Sequence, residues 1–344
     1  MKTYFLLFAC LMVISSPSTN AQFNDVTRDV TKKGTVAAQF LTIPVGARAT
    51  GMGNAVSAQI DDATAIYWNP AGLTGVKQTG ATFESAKWLN EINFNFGALT
   101  IPMAGGTFGL GVTSLRTPDM EVRTVEQPDG TGETFNASSM AISGSYARKL
   151  TTNFSLGGTI KLVSERIWHS NASAVAFDIG TMYTTPFQGI RLGASISNFG
   201  TKLKLEGDDL LTITDIDPAN SGNNNSTRAT LNTDRFDLPL TMRIGLAGEA
   251  VKTKNARITF AVDALSPNNN KQYLNVGTEI GLLGDLVMLR AGYNELLLKD
   301  SIRSFTAGAG LRYRFGNVNL GVDYAYENYK YFAAVNRFTM SVKL

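Results

Sequence analysis

From about residue 79 to the end, apolar and polar positions alternate with a period of two, the pattern of a strand with unlike faces. In "INFNFGALTI" Ile92, Phe94, Phe96 and Ala98 fall on one face, with Asn93, Asn95 and Gly97 on the other. "FSLGGTIKLVSER" sets Phe154, Leu156, Ile160 and Leu162 against Ser155, Gly157, Thr159, Lys161 and Glu165. "LTMRIGLAGEA" opposes Leu240, Met242, Ile244 and Leu246 to Thr241, Arg243, Gly245 and Glu249. "RITFAVDAL", "SFTAGAGLRYRF" and "NRFTMSVKL" repeat the scheme down to Val342 and Leu344.

A soluble sandwich also alternates. Three further features point to a membrane barrel. The alternating segments run about nine to eleven residues, the length a tilted strand needs to cross a bilayer. Tight connections ("KLTTN", "TPFQG", "KTKN") alternate with long polar ones at 115–138 and 200–238. The polar face carries Arg, Lys, Glu and Asp at mid-strand, which suits a wet lumen. The segments number roughly fourteen, an even count as in bacterial barrels. The expected fold is all-β, a transmembrane antiparallel barrel of 79–344.

Residues 36–78 break the pattern. "GARATGMGNAVSAQI" (46–60) is dense in small residues, and "DDATAIYWNPAGL" (61–73) is rich in turn formers. Asp62 can cap a helical turn near Ala63, and Asn69 can cap a second with Pro70 at its first position. Gly46, Gly51, Gly53 and Gly72 permit close backbone approach or positive φ. Together with residues 22–35 this stretch is expected to be an N-terminal plug, folded into the lumen ahead of the first strand.

Residues 1–21 read as a cleaved secretory signal: Lys2, an apolar run from Tyr4 to Ile14, then "TNA" before Gln22. Cys10 lies inside the apolar run rather than at a lipoprotein cleavage box. It is the chain's only cysteine, so the exported chain has no disulfide or thiolate chemistry to offer. The net charge of +3 gives no reason to expect nucleic acid as a partner.

Little in the sequence points to catalysis or cofactors. "GMGNAV" lacks both a preceding buried parallel strand and a third glycine, so a nucleotide loop is a weak reading. The only histidine, His169, sits in "IWHSN" at a loop tip beside Trp168, with no nucleophile motif to serve as a triad base. "EGDDLLTITDIDPANSGNNN" (206–225) gathers Asp208, Asp209, Asp215 and Asp217. These could hold calcium, but the spacing fits no EF-hand, and a solvated acidic loop is the plainer reading. Asp61 and Asp62 read as caps with a salt bridge to a wall arginine such as Arg243 or Arg312, or else as charges near a gate. Tyr67 and Trp68 read either as the lining of an apolar ligand pocket or as anchors of the plug.

"FLTIPVGARATGMGNAVSAQIDDATAIYWNPAGL" (40–73) resembles the opening of the PorV/PorQ family of Bacteroidetes outer-membrane proteins, relatives in fold of the FadL fatty-acid transporters. "VDALSPNNN" (262–270), "LRAGYNE" (289–295), "GAGLRYRF" (308–315) and "GVDYAYE" (321–327) extend the likeness in the family's order. The chain departs from the pattern in ending on Leu344 rather than an aromatic. The resemblance implies an outer-membrane barrel with a hatch carrying Gly46, Arg48, Gly51, Gly53, Asp61, Asp62, Trp68, Asn69, Pro70 and Gly72. It also implies a non-enzymatic role without cofactors. The expected partners are lipid, type IX translocon or surface-attachment proteins, and the C-terminal signals of their cargo. The alternative function is a FadL-like channel for hydrophobic small molecules such as fatty acids.

Overall fold

A computed structural model describes residues 32–220, 222 and 226–344. The expected signal sequence lies outside the described residues. Fourteen long strands close into one antiparallel barrel. They are β1 Gly80–Lys87, β2 Asn93–Met103, β3 Gly106–Arg116, β4 Ala137–Lys149 and β5 Phe154–Ile167. Next come β6 Ser170–Thr184, β7 Arg191–Gly200, β8 Thr241–Lys252, β9 Ala256–Pro267 and β10 Tyr273–Leu282. The circle ends with β11 Val287–Leu296, β12 Arg303–Phe315, β13 Val318–Tyr329 and β14 Val335–Lys343. Each strand pairs with its neighbours in sequence, and β14 returns to β1 through Gly80 opposite Lys343 and Ala86 opposite Arg337. Closure leaves no free sheet edge, which a bilayer requires because hydrocarbon offers backbone groups no partner.

The alternation decides which way the side chains point. Leu110, Ile160, Leu162, Ile179, Phe260 and Phe338 face outward and stay exposed, while Thr159, Lys161, Thr259, Asp263, Arg337 and Thr339 face inward and are buried. An apolar exterior round a polar interior inverts a soluble protein and matches a membrane barrel. β2 differs from the expectation that its polar face turns inward. Phe94, Phe96 and Ala98 are its buried, inward residues, whereas Asn93, Asn95 and Gly97 face out. The reason is local: apolar residues of the N-terminal segment join Phe94 and Phe96 in one core cluster.

One end of the barrel carries only short turns, at 104–105, 150–153, 185–190, 253–255, 283–286 and 316–317. The other carries the long loops, 117–136 and 201–240 among them. The second long loop contains a two-stranded hairpin, Leu211–Thr214 with Thr227–Thr230. The wall slips register between Phe177 and Ile179, where β6 meets β7 and Asp178 has no partner in the ladder.

Candidate functional site

Residues 36–76 enter from the long-loop end, where Val36 bridges Asp237. They form a 3-10 turn (Gln39–Thr42), the short helix α1 (Ala47–Gly51), the single turn α2 (Ala65–Trp68) and a 3-10 helix (Pro70–Gly75). Asn69 caps the last of these by accepting a hydrogen bond from Ala71 N at 3.1 Å, with Pro70 at the first position. Asp62 accepts from Thr64 N at 2.9 Å just ahead of α2. Short polar side chains and proline at these places favour turns over strand, so the segment cannot continue the sheet.

Inward side chains all round the wall hold this segment by its backbone. Gly46 N donates to Glu84 on β1, and Ala47 N donates to Thr339 Oγ1 on β14 at 2.8 Å. Gly53 N donates to Thr306 Oγ1 on β12 at 3.0 Å, and Asn54 Nδ2 to Asn294 Oδ1 on β11 at 2.8 Å. Asp263 on β9 accepts from Val56 N, Ser57 N and Ser57 Oγ at 3.0, 2.9 and 2.6 Å. Asn69 Nδ2 donates to Thr181 O on β6 at 3.0 Å, and Ser195 Oγ on β7 donates to Trp68 O at 3.0 Å. Contacts with strands on every side place the segment within the lumen. Buried polar groups that find partners cost little, whereas each left unpaired would cost about 1–3 kcal/mol.

The motif residues sort into distinct jobs. Gly53 has φ +60°, and a Cβ there would lie 2.5 Å from Val276 O and 2.6 Å from Tyr293 N. Gly46 opens α1 toward Glu84, Gly51 packs against Gly308 of β12, and Gly72 lies against the Ile60 carbonyl. Asp61 and Asp62 do not reach Arg243 or Arg312, the wall arginines expected for them. Both pair with Arg48 of the same segment, at 2.6 and 3.3 Å, and Arg48 also reaches Glu279 of β10 at 3.3 Å. The expected partners are already engaged. Arg312 holds Asp323 at 2.7 Å, and Arg243 stands over the rings of Tyr67 and Trp68 at 5.9 and 5.4 Å. Burial works against the charge on Arg48, yet Glu279, Asp61 and Asp62 together keep its pKa above the ordinary range. Burial likewise opposes ionisation of Asp62, and the Arg48 charge and the Thr64 hydrogen bonds outweigh it, lowering the pKa.

Tyr67 and Trp68 are buried, stack edge to face, and donate to Leu41 O at 3.0 Å and Val45 O at 2.8 Å. Burial pushes the Tyr67 hydroxyl up to about 12. Neither ring lines the cavities described below, so in this state they tie the segment together.

Sequence reasoning missed an ionic network on the lumen wall. Glu279 binds Arg257 and Arg290 at 2.9 and 2.7 Å, and Arg290 continues to Asp323 at 2.7 Å. Arg337 binds Glu84 at 2.8 Å, and Lys161 binds Asp178 at 2.6 Å. The signal was present as mid-strand charge, but alternation does not say which charges meet.

Three cavities matter. A groove of about 890 Å³ runs along the outward face of β2 to β7, where Gly144 and Gly158 leave room between Leu110, Tyr146, Ile160 and Phe177. A second, of about 450 Å³, lies at the long-loop end between Ile43, Trp88, Arg303 and Tyr329. A third, of about 260 Å³, opens at the short-turn end beside Arg48, Asp62, Arg257 and Lys343.

His169 sits at the long-loop end, stacked on Trp168, with its Nδ1 3.1 Å from Asp209 Oδ1. Ser170 Oγ donates to that same carboxylate at 3.1 Å, so the hydroxyl is not aligned on the imidazole as a nucleophile would be. Asp217 accepts from Asn220 at 2.6 Å, and among the described residues no group of three or more acidic, His or Cys side chains is placed to hold a metal.

Several solved structures share this architecture. The CymD monoaromatic hydrocarbon channel is 13% identical over 87% of this chain and 96% of that chain, with a TM-score of 0.55. The Pseudomonas putida toluene transporter TodX has the same identity and coverage and a TM-score of 0.54. A Pseudomonas aeruginosa FadL homologue is 13% identical over 87% of this chain and 98% of its own, also with a TM-score of 0.54. The fold is therefore that of the FadL-type fourteen-stranded barrel. No family model matches the chain, nor does any curated relative.

Proposed function

We propose that the chain is an outer-membrane channel for small hydrophobic molecules, closed in this state by its N-terminal segment acting as a plug. The observation that carries this reading is the 890 Å³ groove on the outward wall, lined almost wholly by apolar side chains. Its volume lies in the range of pockets that hold small ligands. It floors on glycine at Gly144 and Gly158, and its lining reaches Asp178, where the wall slips register. The cavity at the long-loop end, with Trp88 and Ile43 on its wall, would receive the molecule from outside. The FadL-type fold supports the reading, since the similar structures are named as hydrocarbon and toluene channels. Transport needs no catalytic group, and the chain is read as non-enzymatic.

The test is uptake of toluene or a fatty acid into vesicles holding the purified protein. Gly144→Leu with Gly158→Leu fills the groove from the lipid side without touching the lumen. Uptake should fall by about tenfold or more, since a pocket filled by side chains cannot also hold a ligand. Unchanged uptake by a correctly folded double variant would overturn the proposal.

A second reading has its own support. In the 201–240 loop Leu211 and Ile213, on a strand of the hairpin, and Ile216 just beyond it are 52, 70 and 70% exposed. Apolar side chains held in water on a loop mark a protein-binding surface. With the PorV/PorQ resemblance, this favours binding of type IX translocon or surface-attachment proteins, or of cargo C-terminal signals. Deleting 205–235 should then leave the barrel folded and abolish co-purification of partners. Co-purification that survives the deletion removes this reading.

A further inference from the structure

The short-turn mouth carries an unbalanced charge. Among the described residues its acidic side chains are all paired: Asp61 and Asp62 with Arg48, Asp285 with Arg257, and Glu249 with Lys252. The deeper Glu279 and Asp323 are held by Arg290. Many bases there are not paired. Lys77, Arg148, Lys149, Lys254, Arg314 and Lys343 have no carboxylate within 4.0 Å among the described residues. They lie at four places round the rim: the lead into β1 and the end of β14, the end of β4, the β8–β9 turn, and the end of β12.

Their register shows where the charge points. Lys149 and Lys343 continue the inward register of Ala147 and Thr339, both of which are buried. Arg314 continues that of Arg312, which lines the mouth cavity. Of the four bases in strands, Arg148 alone takes the outward register, next to exposed Tyr146, and Lys77 and Lys254 lie in the connections. Charges meant for an annulus of lipid headgroups would lie mainly on the outward register; these surround the opening. Beneath them is the 260 Å³ cavity, where Asp61, Asp62, Asp285 and Asp323 are held by Arg48, Arg257 and Arg312, while Lys343 feels the Asp62 charge but has no carboxylate within 4.0 Å among the described residues.

We propose that the short-turn mouth docks an acidic polypeptide segment, one carboxylate of which enters the cavity at Lys343. The spread of the bases over the rim exceeds the size of a small anion and fits an extended chain making several weak contacts. Exposed ion pairs contribute modestly one by one and chiefly set encounter rate and selectivity. Binding here would be collective and sensitive to salt. The inference does not rest on the channel reading.

The test uses the full chain in non-ionic detergent with a fluorescein-labelled oligoglutamate, followed by anisotropy. Saturable binding is expected, weakening steeply as salt rises, because the Debye length shrinks from about 10 Å at 0.1 M to about 3 Å at 1 M. Lys343→Gln should weaken it about fivefold, and Lys149→Gln with Arg314→Gln by a similar further factor. Lys330→Gln, at the long-loop end, should change nothing. Absence of binding, or a Lys343→Gln protein that binds as the wild type does, would sink the proposal. So would equal weakening by Lys330→Gln. If the rim substitutions spare oligoglutamate binding but reduce co-purified phosphatidylglycerol, the collar serves lipid and the proposal is wrong. Salt dependence on the unaltered protein remains decisive should a variant fail to fold.

Discussion

The two sides of the lumen grip the same N-terminal segment by unlike means. Along β9 to β14 and on β1, polar and charged contact is added to glycine packing: Gly51 lies on Gly308 and Gly53 against Val276 and Tyr293, while Arg48 of α1 is joined to Glu279, and Glu84, Thr339 and Asp263 accept backbone amides. Along β3 to β6 no ion pair joins the segment to the wall among the described residues, and glycine, apolar packing and hydrogen bonds such as Asn69 Nδ2 to Thr181 O hold it. The Pro70–Gly75 helix lies on β4, β5 and β6, and Ile66 and Leu73 press on Gly109. A charged contact can be loosened by protonation or by a competing ion, whereas packed glycine and backbone have no such handle. If the segment moves, the side that carries the ion pairs should release first and the side without them should act as the hinge.

Substitutions can set the two sides against each other. The largest effect is expected on the packed side, where a Cβ at Gly157 would fall 2.5 Å from the Pro70 carbonyl carbon. Gly157→Leu should displace the 3-10 helix, at a cost above roughly 3 kcal/mol, because backbone cannot yield as a side chain does. Chemical unfolding and heat-dependent gel mobility would both report it. Next, Arg48→Ala removes three ion pairs on the charged side while leaving Glu279 two other arginines. Docking of the segment should weaken by about 2–3 kcal/mol, less than for a pair left wholly unpartnered. More frequent opening in planar-bilayer conductance would show it, and a variant as quiet as the wild type would count against the latch. Asn69→Ala loses a helix cap and two donated hydrogen bonds, for about 1–2 kcal/mol.

Acid should give the smallest effect, and only on the charged side. The pKa of Asp62 is lowered in the folded protein from its ordinary 3.8. Its contribution is therefore complete above that value and is lost as pH falls below it through the folded pKa. Amide exchange near Asp62 should quicken in that acid window while exchange near Gly157 stays slow.

Strand count, outward apolar face and the placing of long and short connections were all legible in the chain, because a bilayer imposes one rule on every strand. The lumen has no such rule, and reading failed where it began. Phe94 and Phe96 look like lipid-facing residues, yet they face in, where they share one apolar cluster with the N-terminal segment. The chain offers Arg243 and Arg312 as partners for Asp61 and Asp62, and spacing cannot reveal that Arg48, on the same segment, takes both. The cap at Asn69 was readable because its partner, Ala71, is two residues away. The pairing of His169 with Asp209 was not, because forty positions and two wall strands separate them.

The central claim is that residues 46–57 are bound within the lumen by the wall. Hydrogen–deuterium exchange on the detergent-solubilised barrel tests it directly, at the amides of Gly46, Ala47, Gly53, Val56 and Ser57 that donate to Glu84, Thr339, Thr306 and Asp263. These amides should exchange as slowly as those of the flanking strands. Exchange at the rate of an unstructured chain, with the strands still protected, would contradict the account.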